Sequence, residues 1–265
     1  MNDNEIDKAR PKLKRRDILV GAAAASITVP SIHGFPLNSS SSASWDIKTD
    51  VLIMGSGAAG TSAAIEARRR GAEVLVIEGL GQLGGSSGIS GGVVYAGGGT
   101  ALQRALKIQD SVEFMYKFII GAGGIHPEPE KVQRYCEGSV EHFDWLVSNG
   151  VPYTETFSPA KGIPLGEESL YFSGSELSWP ARELTMPAPR GHVPGKGGMT
   201  GGKYLMAALH ASSKTLGVAY LTSTAGRQLI QESDGAARGI VAESNGKMIR
   251  ILARNAVILA SGGFI

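Results

Sequence analysis

Asp50-Val51-Leu52-Ile53-Met54-Gly55-Ser56-Gly57-Ala58-Ala59-Gly60 opens a stretch that continues through a small-residue segment to Ala72-Glu73-Val74-Leu75-Val76-Ile77-Glu78. It reads as a strand, a Gly-x-Gly-x-x-Gly turn, a helix, a second strand and an acidic end, in the order of a dinucleotide-binding βαβ unit. Gly55 permits the tight turn off the strand. Gly57, without a side chain, lets a pyrophosphate approach the backbone, and Gly60 lets the helix pack close to the strand. The phosphates are then expected at a helix N-terminus, where unpaired N–H groups and the helix dipole favour negative charge. Glu78 follows Gly55 by 23 residues, at a strand end from which a carboxylate can bind both hydroxyls of a ribose. The competing reading is a structural βαβ unit with no ligand, against which the completeness of the pattern counts.

The rest of the chain supports a globular protein. It has 265 residues, 42% hydrophobic and 19% charged, enough for a substantial core. Its 37 glycines cluster in loops and show no collagen-like period, so close approach of backbone to a ligand is the better account of them. The net charge of +2 sits in the first 44 residues, which hold six Lys/Arg and four Asp/Glu, while the remaining 221 hold 20 of each sign. Nothing in that balance suggests a nucleic-acid-binding surface. Arg68-Arg69-Arg70 reads as the basic last turn of the first helix, closed by Gly71. A single cysteine excludes an internal disulfide. Cys136 lies on the helically spaced stripe Val132, Cys136, Val140, Phe143, Val147, which favours a buried core thiol over a reactive one. No metal-ligand pattern is read.

Residues 1–44 read as a leader. Lys14-Arg15-Arg16-Asp17 precedes an apolar run of 12 residues, Ile18 to Val29, too short to span a membrane and suited to a signal h-region. The paired arginines resemble a twin-arginine export signal, and a Ser-rich linker, Ser39 to Ser44, follows. This predicts export in the folded state to the periplasm. The alternative is a basic leader on a cytoplasmic protein.

Residues 45–265 read as one domain. After the βαβ unit comes a second glycine loop, Gly79 to Thr100, containing Gly84-Gly85-Ser86-Ser87, Ser90-Gly91-Gly92 and Gly97-Gly98-Gly99. It suits a loop wrapped round an extended ligand. Helices are predicted at 109–120, at 130–148 ending in Asn149-Gly150, and at 201–216 ending in Gly217. Residues 151–198 are expected to be irregular surface loops near the reactive edge of a ligand. Strands are predicted at 218–221, 228–231, 236–243 and 248–253, with turns at Asp234-Gly235 and Asn245-Gly246, as an antiparallel meander. A separate buried strand, Ala256 to Ala260, then runs into Ser261-Gly262-Gly263-Phe264.

From about residue 48 onward the chain resembles the flavoprotein family of soluble fumarate reductases and 3-ketosteroid dehydrogenases. Four stretches carry the likeness: Asp50 to Gly60; Gly84 to Ser87 with Ser90 to Gly92; Glu141-His142-Phe143-Asp144-Trp145-Leu146 with Asn149-Gly150-Val151-Pro152-Tyr153; and Ala256 to Phe264, with Ser261 where the family usually has Thr. Gly92-Val93-Val94-Tyr95-Ala96-Gly97-Gly98-Gly99-Thr100 leans to the ketosteroid branch. The resemblance implies an α/β fold: a Rossmann-like FAD-binding domain of the glutathione-reductase type, with a parallel sheet and an antiparallel meander. It implies FAD rather than NAD, and the second glycine loop agrees, because a flavin needs cover beyond the first turn.

The candidate cofactor-binding residues are Gly55, Gly57, Ala58, Ala59, Gly60, Glu78 and Gly79, then Gly84, Gly85, Ser86, Ser87, Ser90, Gly91 and Gly92. The resemblance adds Ala225 beside the adenine, and Ala260, Ser261, Gly262 and Gly263 on the returning strand. Family members with covalent flavin carry a His in the second glycine loop. This loop has none, so the FAD is expected to be noncovalent.

The implied activity is hydride transfer that forms or reduces a C=C bond next to a carbonyl, with a steroid-like ketone favoured over an unsaturated acid such as fumarate. In the family a catalytic capping domain follows the strand at Gly263-Phe264, so the expectation here is an incomplete FAD domain without its cap. That leaves room for a second chain supplying the rest, and for a non-catalytic fragment. Tyr95, Tyr153, Tyr171, Arg190 and His192 are the polar residues that could border a substrate, and none is assigned a catalytic role.

Overall fold

A computed structural model describes residues 44–124, 127–195 and 198–263. The expected leader therefore lies outside the described residues. In chain order the elements begin with β1 (Ile47–Met54), α1 (Ala58–Arg69), β2 (Val74–Ile77), α2 (Gly85–Ile89), β3 (Val94–Tyr95) and α3 (Ala101–Ala105). They continue with α4 (Val112–Ala122), α5 (Pro129–Glu137), α6 (Ser139–Ser148), β4 (Phe157–Lys161), β5 (Leu170–Phe172), α7 (Ala181–Leu184) and β6 (Gly191–His192). Helix α8 (Gly201–Thr215) leads to β7 (Ala219–Leu221), β8 (Thr224–Gln231), β9 (Ala237–Ser244) and β10 (Lys247–Leu259).

The main sheet has six strands in the order β7-β2-β1-β10-β9-β8. Strands β7, β2, β1 and β10 run parallel, and β10, β9 and β8 form an antiparallel meander. Its centre is buried on both faces, which is why its strands read as unbroken apolar runs rather than alternating ones. Val51, Ile53, Val74 and Val76 face a core shared with Ala64 of α1, while Leu52, Leu75 and Ile77 face Ile240, Ala242 and Ile251 on the other side. Each such side chain, fully buried, stabilises the fold by roughly 1.5–3 kcal/mol. The helical layer closes through Ile65, Leu146, Leu205, Met206 and Leu209.

The βαβ unit, the α/β sheet and the meander are as expected from the sequence, and four local expectations are corrected. The predicted helix 130–148 is two helices, because Gly138 closes α5 and opens α6. The predicted strands 248–253 and 256–260 are one strand, β10, whose pairing with β1 shifts by one residue between Thr49 and Val51. The shift is held by Arg254, which binds Asp50 at 2.7 Å and Glu73 at 2.6 Å. Strand 218–221 lies outside the meander: β7 pairs parallel with β2 at the sheet edge.

The segment 151–198 is the largest correction. It contributes β4, β5 and β6 to a second sheet, ordered β3-β6-β5-β4, and it buries Leu170, Tyr171, Arg190 and His192. The turn predictions stand: Asn245 and Gly246 take φ of +49° and +76° between β9 and β10, and Gly235 takes +85°. Cys136 is buried and free, and burial pushes its thiol up to about 11, as a core cysteine should be.

Candidate cofactor site

The fingerprint turn is built by close packing of backbone. Gly55 has φ +107°, and a methyl there would come within 2.3 Å of the Ala260 carbonyl oxygen. At Gly60 a methyl would lie 2.0 Å from the Gly55 carbonyl oxygen and 3.3 Å from Ala260 Cβ. Helix α1 and the Ala260-Ser261 backbone just past β10 thus both press on Gly55. Gly57 is different: its φ of −69° is open to any residue, and a methyl would meet nothing closer than Ser87 Oγ at 3.4 Å and Gly84 O at 3.8 Å. Gly57 therefore lies at a seam where the two glycine loops meet in van der Waals contact, with its backbone uncovered by any side chain of its own.

That seam lies at the N-terminus of α1. The Ala58 amide donates to Ser87 Oγ at 3.1 Å. The first intrahelical bond runs from Thr61 N to Gly57 O at 2.9 Å, so the amides of Ala59 and Gly60 belong to the unpaired first turn. No side chain caps Gly57 and no acidic residue occupies the first turn. The free donors and the helix dipole, with no acidic residue in the first turn itself, fit a pyrophosphate.

Glu78 ends β2 beside this turn and is 8% exposed. Its Oε2 accepts from Ser56 N at 3.0 Å and Ser56 Oγ at 2.6 Å, and its Oε1 accepts from Leu80 N at 3.0 Å. Burial pushes its carboxyl upward, but the hydrogen bonds from Leu80 and Ser56 outweigh that and hold it below the ordinary carboxylate range. The carboxylate is thus held ionised at the strand end beside the fingerprint turn. Gly79 lies beside Ala225 of β8, the two Cβ positions 3.9 Å apart.

The second glycine loop is ordered rather than simply wrapped. Its first half forms the short helix α2, and Ser90 Oγ donates to Ser87 O at 2.8 Å and accepts from Gly92 N at 3.2 Å. Gly91 and Gly92 pack backbone to backbone against Gly201 and Gly202 at the start of α8. Ser86 is exposed, and Gly84 is buried. Gly85 lies against Gly57, its Cβ position 3.9 Å from Gly57 Cα. Ala260 donates to Met54 O at 2.8 Å, and Ser261 abuts Gly55. Gly262 and Gly263 are exposed with open space around them.

The residues singled out for a substrate edge fall into a second polar cluster. Arg190 binds Asp110 bidentately, Nε to Oδ2 at 2.9 Å and Nη2 to Oδ1 at 2.7 Å, with both side chains wholly buried. Asp110 also accepts from Gly98 N and Gln103 Nε2, each at 3.0 Å, and from Ser111 N at 2.9 Å. Tyr95 donates to buried Glu176 at 3.0 Å, and burial, reinforced by that carboxylate, raises its hydroxyl. Tyr153 packs on Phe143 with its hydroxyl buried and unpaired, and Tyr171 is 2% exposed on β5. Arg190 and His192 were expected in surface loops. They are core residues instead, because the short strands β3, β5 and β6 close over them.

His192 is held as a neutral imidazole. Its Nδ1 faces Arg190 O at 3.0 Å, and a carbonyl only accepts, so Nδ1 carries the proton. Nε2 then accepts from Thr100 Oγ at 2.9 Å, while that oxygen accepts from Gln103 N. Burial pushes the ring down to about 4. A lowered folded pKa stabilises the fold fully above pH 6.5, and that stability is lost as pH falls from 6.5 toward 4. The contribution is on the order of 3 kcal/mol. Denaturant unfolding of wild type and His192→Gln from pH 7 to pH 4 is expected to show a steeper loss for wild type. Parallel curves would mean that the ring does not titrate with unfolding.

Two features were not legible in the sequence. Asp110 carries no local signal, since its partner is 80 residues away. His210 of α8 places Nε2 3.0 Å from the Ser56 carbonyl oxygen, inside the cofactor site, from 154 residues along the chain.

Residues 50–265 match the family described as FAD binding domain. The chain is 37% identical over 197 residues to the 3-oxo-5-alpha-steroid 4-dehydrogenase of Comamonas testosteroni, covering 72% of this chain and 36% of that protein. It is 28% identical over 215 residues to a fumarate reductase (cytochrome) of Shewanella frigidimarina, covering 81% of this chain and 33% of that one. Among solved structures, the 3-ketosteroid-delta4-(5alpha)-dehydrogenase of Rhodococcus jostii RHA1, in complex with 4-androstene-3,17-dione, superposes with a TM-score of 0.81 at 42% identity, covering 84% of this chain and 48% of that one. The chain thus spans between a third and a half of the length of these relatives.

Proposed function

The chain belongs to the FAD binding domain family, and on that premise we propose that it is the FAD-holding portion of an oxidoreductase that forms or reduces a C=C bond next to a carbonyl, acting on a 3-ketosteroid-like substrate. The observation that carries the steroid reading is the 42% identity and TM-score of 0.81 to a steroid-bound relative, against 28% identity to a fumarate reductase. The first-turn amides of α1 would hold the pyrophosphate, Glu78 the adenosine ribose, and Gly91 and Gly92 the approach to the flavin. When bound, FAD supplies hydride transfer at its ring system. The second glycine loop holds no His between Gly79 and Thr100, which supports noncovalent attachment.

The same reading includes a second polypeptide segment that covers the flavin and brings the acid or base. It also includes export by the twin-arginine route, supported by Arg15-Arg16 ahead of the apolar run Ile18 to Val29. Fractionation of producing cells tests the export.

Turnover by the FAD-loaded protein tests the function. One arm offers a saturated 3-ketosteroid with an electron-accepting dye, and the other offers fumarate with a reduced dye. With the second segment supplied, dye bleaching in the first arm alone is expected, and the chain alone is expected to bind FAD without turnover. Activity confined to the fumarate arm would transfer the assignment to the runner-up, a fumarate-reductase-like flavoprotein. FAD binding without activity in either arm would mark a cofactor-holding piece that is inert by itself.

A further inference from the structure

We propose that Ser56, clamped by His210, is the positioning pair that locks the two glycine loops and the ribose carboxylate into one FAD-competent geometry. The inference rests on the FAD reading above and names which residues set the affinity.

Ser56 is wholly buried, and every polar atom it has is engaged. Its amide and hydroxyl both donate to Glu78 Oε2, at 3.0 and 2.6 Å. Its hydroxyl oxygen accepts from Gly84 N at 3.0 Å. Its carbonyl oxygen accepts from Thr61 Oγ1 at 2.9 Å and from His210 Nε2 at 3.0 Å. A carbonyl cannot donate, so the neutral His210 ring carries its proton on Nε2. One residue in the middle of the Gly-x-Gly turn therefore ties together the end of β2, the start of the second glycine loop, α1 and α8.

His210 is itself fixed. Its ring meets Tyr220 edge-on at 5.9 Å, and the Tyr220 hydroxyl bonds Ser213 Oγ at 2.7 Å on the same helix as His210. The ring also borders the Gly84 turn, 3.8 Å from the position a Gly84 Cβ would take. Helix α8 thus grips the cofactor loops twice, at its Gly201-Gly202 start and at His210. A hydroxyl bonded to a carboxylate and a backbone donor in one buried site is a strong, cooperative arrangement. Without it, Glu78 loses its shortest bond and the Gly84 amide loses its acceptor.

The test titrates the full 265-residue chain, freed of flavin, with FAD and separately with ADP, which lacks the flavin half. Ser56→Ala is expected to weaken both by the same factor, about ten- to a hundred-fold, as for a hydrogen bond to a charged group. His210→Leu is expected to weaken both about tenfold, and His210→Gln, which restores an N–H donor, to stay within about threefold of wild type. The double variant Ser56→Ala/His210→Leu should lose less than the product of the single losses, because both act through one residue. Unchanged affinities in Ser56→Ala and His210→Leu would overturn the proposal. So would His210→Gln behaving like His210→Leu, or independent multiplicative losses. Melting curves identify any variant that fails to fold. If His210→Leu does, Ser56→Ala and His210→Gln decide alone. A folded wild type that binds neither FAD nor ADP would instead defeat the FAD reading itself.

Discussion

Gly57→Ala is expected to fold normally and lose FAD, whereas Gly60→Ala is expected to lose the fold. The two positions belong to one six-residue motif, yet the structure gives them different tasks. At Gly57 the backbone is ordinary and the nearest atom to a new methyl is the movable Ser87 Oγ at 3.4 Å. The methyl would stand at the seam beside the α1 amides, where the pyrophosphate is proposed to approach, so the loss falls on the ligand: FAD affinity should drop about a hundredfold, near 3 kcal/mol. At Gly60 the methyl would meet a backbone carbonyl at 2.0 Å, and that carbonyl belongs to Gly55, itself pinned against Ala260. Nothing there can rotate away, so α1 must lift from β1 and β10 at a cost of about 3 kcal/mol or more. Melting temperature and FAD titration on both variants check this. A destabilised Gly57→Ala that still binds FAD would reverse the assignment.

Asp110→Ala is expected to be among the most damaging single changes outside the motif. It removes the acceptor for Arg190 Nε and Nη2 and for the Gly98, Gln103 and Ser111 donors, leaving a wholly buried guanidinium unpaired. Breaking a buried pair on one side costs about 3–5 kcal/mol, which for a unit of this size lowers the melting temperature by roughly 10 °C. Arg190→Met should cost less, because Asp110 keeps its three other donors. The double variant Asp110→Leu/Arg190→Met should recover much of the loss, since apolar replacement of a buried pair is often neutral. If Asp110→Ala cost under about 1 kcal/mol, as exposed pairs do, the pair would be solvated in solution.

The parts legible in the sequence are those with local physical signatures. Val51 to Met54 and Val74 to Ile77 are apolar on both faces because the strands are parallel and covered, and the glycines between them mark a turn of fixed spacing. Asn245-Gly246 and Gly217 announce themselves because only certain residues accept positive φ. The segment 151–198 was illegible because its strands run two to five residues, too short for a period of two to emerge from Pro- and Gly-rich surroundings. Gly138 sits within one apolar stripe that spans both α5 and α6, so periodicity joined what the backbone divides. Arg190 and His192 read as site residues by type, yet Asp110 and Thr100, 80 and 92 residues away, claim them for the core. The place of Glu78 beside the fingerprint turn was legible from its spacing, whereas that of His210 was not, because nothing near it in sequence points to Ser56.

We propose that the seam between Gly57 and the second glycine loop holds FAD without a covalent bond. This is tested most directly by titrating the flavin-free 265-residue chain with FAD, following the flavin fluorescence, and then precipitating the loaded protein with acid. Saturable binding at one FAD per chain, competed by ADP, with all the flavin released to the supernatant, is the predicted result. A folded chain that leaves FAD fluorescence unchanged, or flavin that stays with the precipitate, would contradict it.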